Sequence, residues 1–339
     1  MPQCGSQIIL CDVPIRYDTY TGCSHLCQYC FVQKKNGDVF GKIGNGEGVE
    51  MLRNFIEGKR NNVTKWCDWD IPLHWGGMSD PFQPIERERH NSLKALEVFH
   101  ETQYPFIVST KNKMIAEEPY LSLIKECNCV VQFSACCPSY DAMEKGASTF
   151  AERMEAAAKI APFKRVNIRC QPYMPQYFDE IMKAIDTFHE VGAHGCIFEG
   201  IKFQKKMPGT FKLQGDSVYP SKLYKQHFMH FKMKLHRLGM KFYCGENRLR
   251  GMSDELCCCG IEGLGWKPNT ANLNHFLYDR ENFKFSPSQQ QPDTASPFLV
   301  IAQFAVSRYM AAYPYEKMMR LATQDKGFIK VLVEDGIVK

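Results

Sequence analysis

The stretch Cys23-Ser24-His25-Leu26-Cys27-Gln28-Tyr29-Cys30 decides how this chain is read. Its three cysteines follow one another at spacings of four and three, with Tyr29 just before the last and Phe31 just after it. A loop this short can fold three thiolates around one corner of a metal cluster, and it offers no fourth. Four thiolates normally hold a [4Fe–4S] cluster, so this loop would leave one iron open to a ligand that is not protein. Two other readings use the same residues. A zinc site would recruit a fourth ligand, with His25 or a distant residue able to serve. A disulfide framework is disfavoured, because the loop holds an odd number of cysteines and nothing marks the chain as secreted.

The chain of 339 residues can bury a sizeable core as one large domain or two ordinary ones. It is 44% hydrophobic and 23% charged, a globular composition. Met1-Pro2-Gln3-Cys4-Gly5-Ser6-Gln7 has no basic region leading into an apolar run, and no apolar stretch is long enough to span a bilayer. The expected location is cytoplasmic, with no membrane partner. Sixteen cysteines in a reducing compartment suit metal ligation better than cross-linking. Cys127, Cys129, Cys170 and Cys196 lie in or beside apolar runs and read as core. A net charge of +5 permits an anionic partner without demanding one.

Working outward from the cysteine loop, apolar strand-like runs alternate with helical patterns. Strands are predicted over 71–75, 105–110, 129–134, 165–170, 195–200 and 240–244, after a first one within 8–22. Helices are predicted near 49–57, 86–101, 117–126, 148–160, 178–190 and 221–238. The helix over 148–160 should be capped by Ser148 or Thr149 with Glu152 nearby. Lys34-Lys35-Asn36-Gly37 signals a turn, 284–297 a polar loop, 299–312 an apolar helix and 324–339 a short appendage. Six or seven strand–helix units imply a parallel sheet, and a partial or full barrel of the TIM type is the α/β arrangement expected. Its chemistry would collect at the carboxyl ends of the strands.

The cysteine loop, with its aromatic before the third cysteine, resembles the CxxxCxxC motif of the radical S-adenosylmethionine (SAM) enzymes. The resemblance extends to Trp75-Gly76-Gly77, matching a glycine-rich turn that binds the methionyl amino group of SAM. Met78-Ser79-Asp80-Pro81-Phe82-Gln83-Pro84-Ile85-Glu86 is similar to a segment of the spore photoproduct lyase-like branch, often labelled DNA repair photolyases. Further matches are Ser109-Thr110-Lys111, Gln132-Phe133-Ser134, the helix bearing Arg153, and Arg169-Cys170-Gln171-Pro172-Tyr173-Met174-Pro175. The resemblance implies a [4Fe–4S] cluster on Cys23, Cys27 and Cys30, with SAM on the open iron and a 5′-deoxyadenosyl radical as the reactive species. It nominates Gly76, Gly77, Ser79, Lys111, Ser134 and Arg153 as cofactor contacts. It also implies an electron donor such as flavodoxin or ferredoxin.

The chain departs from that branch in one place. Spore photoproduct lyases carry a hydrogen-donating cysteine just after the second strand, where this chain reads Gly76-Gly77-Met78-Ser79-Asp80. Cys136 and Cys137, after the fourth strand, offer a substitute donor from another wall or serve as packing.

A second cysteine group, Cys244 with Cys257-Cys258-Cys259, would make an auxiliary iron–sulfur or zinc site if two of the adjacent three joined Cys244. Adjacent side chains diverge, so all three cannot easily meet one metal. Basic Lys34, Lys35, Lys202, Lys205, Lys206, Arg248 and Arg250, interleaved with Phe203, Phe242 and Tyr243, provide a rim that nucleic acid could use, or one that is merely solvated. The expected organisation is a barrel over 1–245 and a cysteine-bearing extension over 246–339. The expected activity is hydrogen abstraction from a substrate, with a nucleic-acid base as leading candidate. A peptide or small molecule, or a zinc-binding module without catalysis, are the alternatives.

Overall fold

The computed structural model describes residues 2–4, 11–32, 42–61, 69–213, 216–270 and 272–279, with Thr64 and Cys67. The expectations for 34–37, 284–297, 299–312 and 324–339 lie outside the described residues.

Seven parallel strands form one sheet in chain order: β1 (Ile15–Tyr17), β2 (Leu73–Trp75), β3 (Phe106–Thr110), β4 (Cys129–Ser134), β5 (Val166–Tyr173), β6 (Gly195–Gly200) and β7 (Lys241–Cys244). A two-residue strand, Gln3–Cys4, pairs antiparallel with β1 at the outer edge. The first and last parallel strands do not pair with each other, so the barrel is partial.

Period-two alternation sorts each strand into two faces. Outward residues such as Trp75, Phe106, Val108, Val131, Phe133, Ile168, Phe198 and Phe242 join one large core with the surrounding helices. Those helices are α1 (Val49–Ile56), α2 (Asn91–Thr102), α3 (Tyr120–Glu126), α4 (Phe150–Ile160), α5 (Phe178–Glu190) and α6 (Ser221–Arg237). In α6, Tyr224, Phe228, Phe231 and Leu235 recur at helical spacing and are the buried face. Phe231 stacks on Phe198 at 4.6 Å between centroids, and Phe99 of α2 stacks on Phe106 at 4.0 Å. Contacts of this kind, repeated along the sheet, fix the helices against it; truncating one such buried ring typically costs about 3–5 kcal/mol.

Two local expectations are refined. The helix foreseen over 86–101 is two pieces, Glu86–Arg89 and α2, because His90 turns to φ 53° between them. The cap of α4 is Thr149, in a reciprocal box with Glu152, while Ser148 Oγ instead accepts a bond from Lys113 N at 3.0 Å.

The two ends of the barrel are built differently. The segments after β1, β2, β3 and β4 form the carboxyl end. Residues 253–270 run under the amino end: Arg165, just before β5, donates to Glu262 O at 2.7 Å, and His194, just before β6, meets Glu262 Oε1 at 2.9 Å. Cys259 and Ile261 pack with Val13, Ile107 and Val130 and close the floor.

Candidate active site

The cysteine loop sits at the carboxyl end, held from two sides. On one side is the segment after β2. Gln83, fully buried, accepts Ser24 N at 3.0 Å through Oε1 and donates through Nε2 to Gly22 O at 3.2 Å. Ser79 Oγ donates to the same Gly22 carbonyl, and His25 Nδ1 faces Asp80 Oδ2 at 3.4 Å. On the other side is the segment after β4: Gln28 N donates to Met143 O at 2.9 Å and Gly146 N to His25 O at 3.0 Å. A Cβ at Gly146 would stand 2.2 Å from Ser24 O, so only glycine lets the two loops meet.

Asp80 is the hub of this end. Its carboxylate accepts Phe82 N at 2.9 Å, Thr110 Oγ1 at 2.8 Å and Lys111 N at 2.7 Å. Glu86, also fully buried, accepts Tyr120 Oη at 2.9 Å and the amides of Ser92 and Leu93 at 2.8 and 2.9 Å, and bonds Tyr20 Oη. It therefore caps α2 and ties it to the strand leading into the cysteine loop. The polar residues of the Ser79–Glu86 segment thus act as braces for the loop.

The donor set suits a thiolate-bound cluster. Burial first, then the Asp80 charge, push the Cys23 thiol up to about 12; burial also pushes Cys27 up to about 12, opposed by the Lys111 ammonium. Thiols held neutral in this way bind metal by releasing protons to it. His25 Nε2 is buried without a hydrogen-bond partner, and burial holds the ring below its usual pKa. Gly76 and Gly77 close β2 beside the loop. A Cβ at Gly76, at φ 86°, would meet Ser109 O at 2.4 Å, so only glycine lets this turn pack against the end of β3. These residues fit a [4Fe–4S] cluster with SAM alongside.

No family model matches this chain, and no curated protein matches it. Solved structures do. A spore photoproduct lyase double mutant with bound AdoMet and dinucleoside spore photoproduct superposes with a TM-score of 0.55 at 17% identity, covering 68% of this chain and 76% of that one. Streptococcus suis SuiB bound to precursor peptide SuiA superposes with a TM-score of 0.50 at 10% identity, over 70% of this chain and 50% of that one. The chain has the radical SAM fold.

Within this radical SAM barrel the other nominated residues fall in distinct places. Lys111 is half-buried, its Nζ 3.0 Å from Glu144 Oε1 and 5.6 Å from the Tyr29 ring. Ser134 ends β4, and its carbonyl accepts Arg153 Nη1 at 2.6 Å. Arg153 is fully buried and also pairs with Glu144 Oε2 at 2.6 Å and Asp141 Oδ1 at 2.9 Å. Its guanidinium fastens the segment after β4 that holds the cysteine loop. Cys136 and Cys137 are both buried but have different neighbours. Burial opposes ionisation of Cys136, but contacts with Cys170 and Lys111 outweigh it and lower its pKa; Cys137 is raised by burial, with Glu180 close by.

The second cysteine group lies at the floor, on the opposite end from the cysteine loop. Cys257, Cys258 and Cys259 interact with one another, with Arg250 beside Cys258 and with Cys11 as a further thiol. Cys244 faces outward into the helix layer and its Sγ donates to Glu246 O at 3.5 Å. Among the described residues, no three His, Cys, Asp or Glu side chains surround a single-ion position. A cavity of about 550 Å³ also opens at the floor, lined by Asp12, Cys257 and His275, away from the candidate site. Lys202 pairs with Glu199 at 3.0 Å, while Lys205 and Lys206 are exposed in the turn that follows Lys202–Phe203.

Sequence reading missed the barrel interior. Arg16, His74, Ser109, Gln132, Arg169, Gln171 and Glu199 are polar residues at inward positions of strands whose outward positions are apolar. The signal was present: a polar residue at every second place in a buried strand marks a lined chamber. His74 Nε2 lies 2.8 Å from Ser109 Oγ, and Arg169 Nη1 reaches Gln132 Oε1 at 3.1 Å and Ser109 Oγ at 3.4 Å. Among the described residues no helix is long and apolar enough to cross a membrane.

Proposed function

We propose that this chain is a radical SAM enzyme acting on a nucleic-acid base, in repair or modification. The observation that carries the class is the placement of Cys23, Cys27 and Cys30, three thiols with no fourth, at the carboxyl mouth of the barrel beside the Gly76-Gly77 turn. When bound, the cluster and SAM supply a 5′-deoxyadenosyl radical that takes a hydrogen atom from an unreactive C–H bond. This chain's own residues hold and shield. Cys23, Cys27 and Cys30 would ligate three irons, with the Lys111 ammonium offsetting the charge at Cys27. Gly76 and Gly77 let backbone oxygens approach the methionyl end of SAM, with Ser79, Lys111 and Ser134 around it. Arg153 is a positioning residue, acting through the segment it fastens. Cys136, the thiol beside Lys111, is the candidate hydrogen donor on the substrate side. A one-electron donor of the flavodoxin or ferredoxin kind completes the system.

The substrate class rests on the lyase-like motifs, on a structural relative that holds a dinucleoside lesion, and on exposed Lys205 and Lys206 at the same end. The runner-up, a peptide or small-molecule enzyme with an auxiliary cluster or zinc, draws on the cluster of floor thiols and on the peptide-bound relative. One experiment addresses both. Reconstituted protein is reduced anaerobically with SAM and with DNA, RNA or peptide, and 5′-deoxyadenosine and modified products are identified. Alanine at Cys23, Cys27 or Cys30 should abolish 5′-deoxyadenosine formation; a single variant that retained it would refute the cluster assignment. Iron remaining in the triple alanine variant would favour the runner-up. A folded, iron-free triple variant would favour one cluster.

A further inference from the structure

Two arginines point inward beneath the Gly76-Gly77 turn, and among the described residues neither is in an ion pair with a carboxylate. Arg169, from β5, spends its donors on neutral acceptors: Gln132 Oε1 at 3.1 Å, Ser109 Oγ and His74 Nε2 at 3.4 Å, and the Gln171 side-chain oxygen. Arg16, from β1, makes no side-chain hydrogen bond among the described residues, its Nε is buried without a partner, and its Cδ would lie 3.1 Å from a Cβ at Gly77. Both side chains are partly accessible to solvent, so the mouth of the barrel reaches them.

The acids nearby are otherwise engaged. Asp18 accepts the amides of Met78 and Ser79 at 3.0 and 3.2 Å, Glu47 accepts Asp18 N at 2.9 Å, and Glu199 binds Gln171 Nε2 at 2.7 Å and Lys202 Nζ at 3.0 Å. Among the described residues none of these acids lies within ion-pair distance of Arg16 or Arg169, although Asp18 and Glu47 feel the Arg16 charge. His74 sits between the two guanidiniums, and burial first, then both positive charges, hold its pKa down to about 3, so it stays neutral. A half-buried guanidinium that is not in an ion pair keeps donors free for an outside anion, and here Asp18 and Glu47 are spent on backbone amides. Two of them facing one chamber make a site for an anion that the protein does not itself contain.

We propose that Arg16 and Arg169 form a receptor for a phosphate group of the substrate, with Ser109 and Gln132 framing it and His74 as a neutral partner. Guanidinium forks match tetrahedral oxyanions in geometry as well as charge. The proposal rests on the reading that this mouth takes a nucleic-acid substrate. Its chemistry would place a phosphate under the glycine turn, so that the attached sugar or base is held at the cluster end.

The test is titration of reconstituted protein, with SAM present, by inorganic phosphate and separately by acetate. Saturable phosphate binding is expected, with acetate about tenfold weaker or more, because phosphate offers a second charge and further oxygens to a second guanidinium. Arg16→Gln and Arg169→Gln should each weaken phosphate binding by about tenfold or more, with SAM affinity altered less than about twofold. Arg16→Gln is the decisive variant, because its side chain makes no hydrogen bond that folding could miss; melting temperature and iron content check both proteins. The proposal falls if the wild type binds no phosphate, if both variants bind it unchanged, if acetate binds as well, or if SAM affinity drops in parallel, which would assign the arginines to the cofactor carboxylate. Formation of 5′-deoxyadenosine is measured on the same wild-type sample. Its absence would count against the enzyme class itself, whereas its presence without phosphate binding would remove only the receptor.

Discussion

The two ends of the barrel use opposite strategies. At the carboxyl end, a short cysteine loop is gripped by segments close to it in the motif order, through buried hubs, Asp80, Gln83, Glu86, Glu144 and Arg153, and the half-buried Lys111. At the amino end, the floor comes from residues far along the chain. Gln132 and Asn167 donate to the Cys259 carbonyl at 3.0 and 3.2 Å, and Ile261 packs against Ile107 and Val130. The lesson is a division of labour. The carboxyl end braces the three thiols of the cysteine loop through buried polar side chains, whereas the amino end closes on apolar packing and on the Cys259 carbonyl.

The sharpest way to break this contrast is to add one methylene group or more at a glycine on each end. Gly146→Val would drive its side chain into Ser24 O, 2.2 Å from the Cβ position, and into the His25 backbone at 2.9 Å. Displacing the cysteine loop should lower the iron retained after reconstitution by roughly tenfold or more, the scale of damage to groups supporting a metal site. Melting of the apoprotein should move much less. Iron content equal to wild type would show that the segment after β4 does not set the loop.

The matching change at the floor should act on stability alone. Gly260 has φ 64°, and a Cβ would fall 2.4 Å from Asn167 Nδ2 and 2.9 Å from the Tyr243 ring. Left-handed backbone strain and overpacking together make Gly260→Ala destabilising by about 2–5 kcal/mol. Thermal unfolding should therefore shift down by several degrees, while iron per folded molecule stays at the wild-type level. Loss of iron in step with Gly146→Val would mean that the two ends are not separable.

The contrast also explains which parts were legible beforehand. Cys23, Cys27, Cys30, Gly76 and Gly77 lie in short contiguous motifs, so spacing and order alone made them candidates, and the fold sets them after β1 and β2 at the carboxyl end. The strands over 129–134 and 195–200 and the helix over 178–190 were legible to the residue because their apolar periodicity is uninterrupted. The helix break at His90 was hidden, since the apolar pattern of Leu93, Leu96 and Phe99 runs on beyond it; the buried Glu86 that caps α2 shows why the chain turns there. The floor was invisible for a different reason. Its bonds join residues whose partners lie on distant elements, as Arg165 does with Gly260 and Glu262, and no local pattern announces such a pairing. Cys257, Cys258 and Cys259 were grouped with Cys244, which does feel the charge of Cys258 and Arg250, whereas Cys11, far off in sequence, joins them with no local pattern to announce it.

The smallest effect expected is a difference in pH response between the ends. At the carboxyl end, burial outweighs the amides of Met78 and Ser79 and raises the Asp18 carboxyl to about 6. Such a group costs stability as pH rises from its unfolded value, near 4, towards 6. Glu262 at the floor is the reverse case. Burial would raise it, but hydrogen bonds from His194 and Tyr243, followed by the Arg165 charge, hold it at about 2. A carboxyl depressed in the folded state contributes stability above its unfolded pKa, and that contribution is lost as pH falls from about 4.5 through 2. Glu262→Gln should accordingly lower the melting temperature of the apoprotein at pH 7 by a few degrees and flatten its fall between pH 5 and 3, an effect on the order of 1–2 kcal/mol once partial exposure screens it. Asp18→Asn should instead flatten the profile between about pH 4 and 6. Thermal melts of wild type and both variants across pH 3–7 decide it: identical slopes for wild type and Glu262→Gln would mean that the floor carboxylate is not held in its charged form, and that the amino end is secured by packing without it.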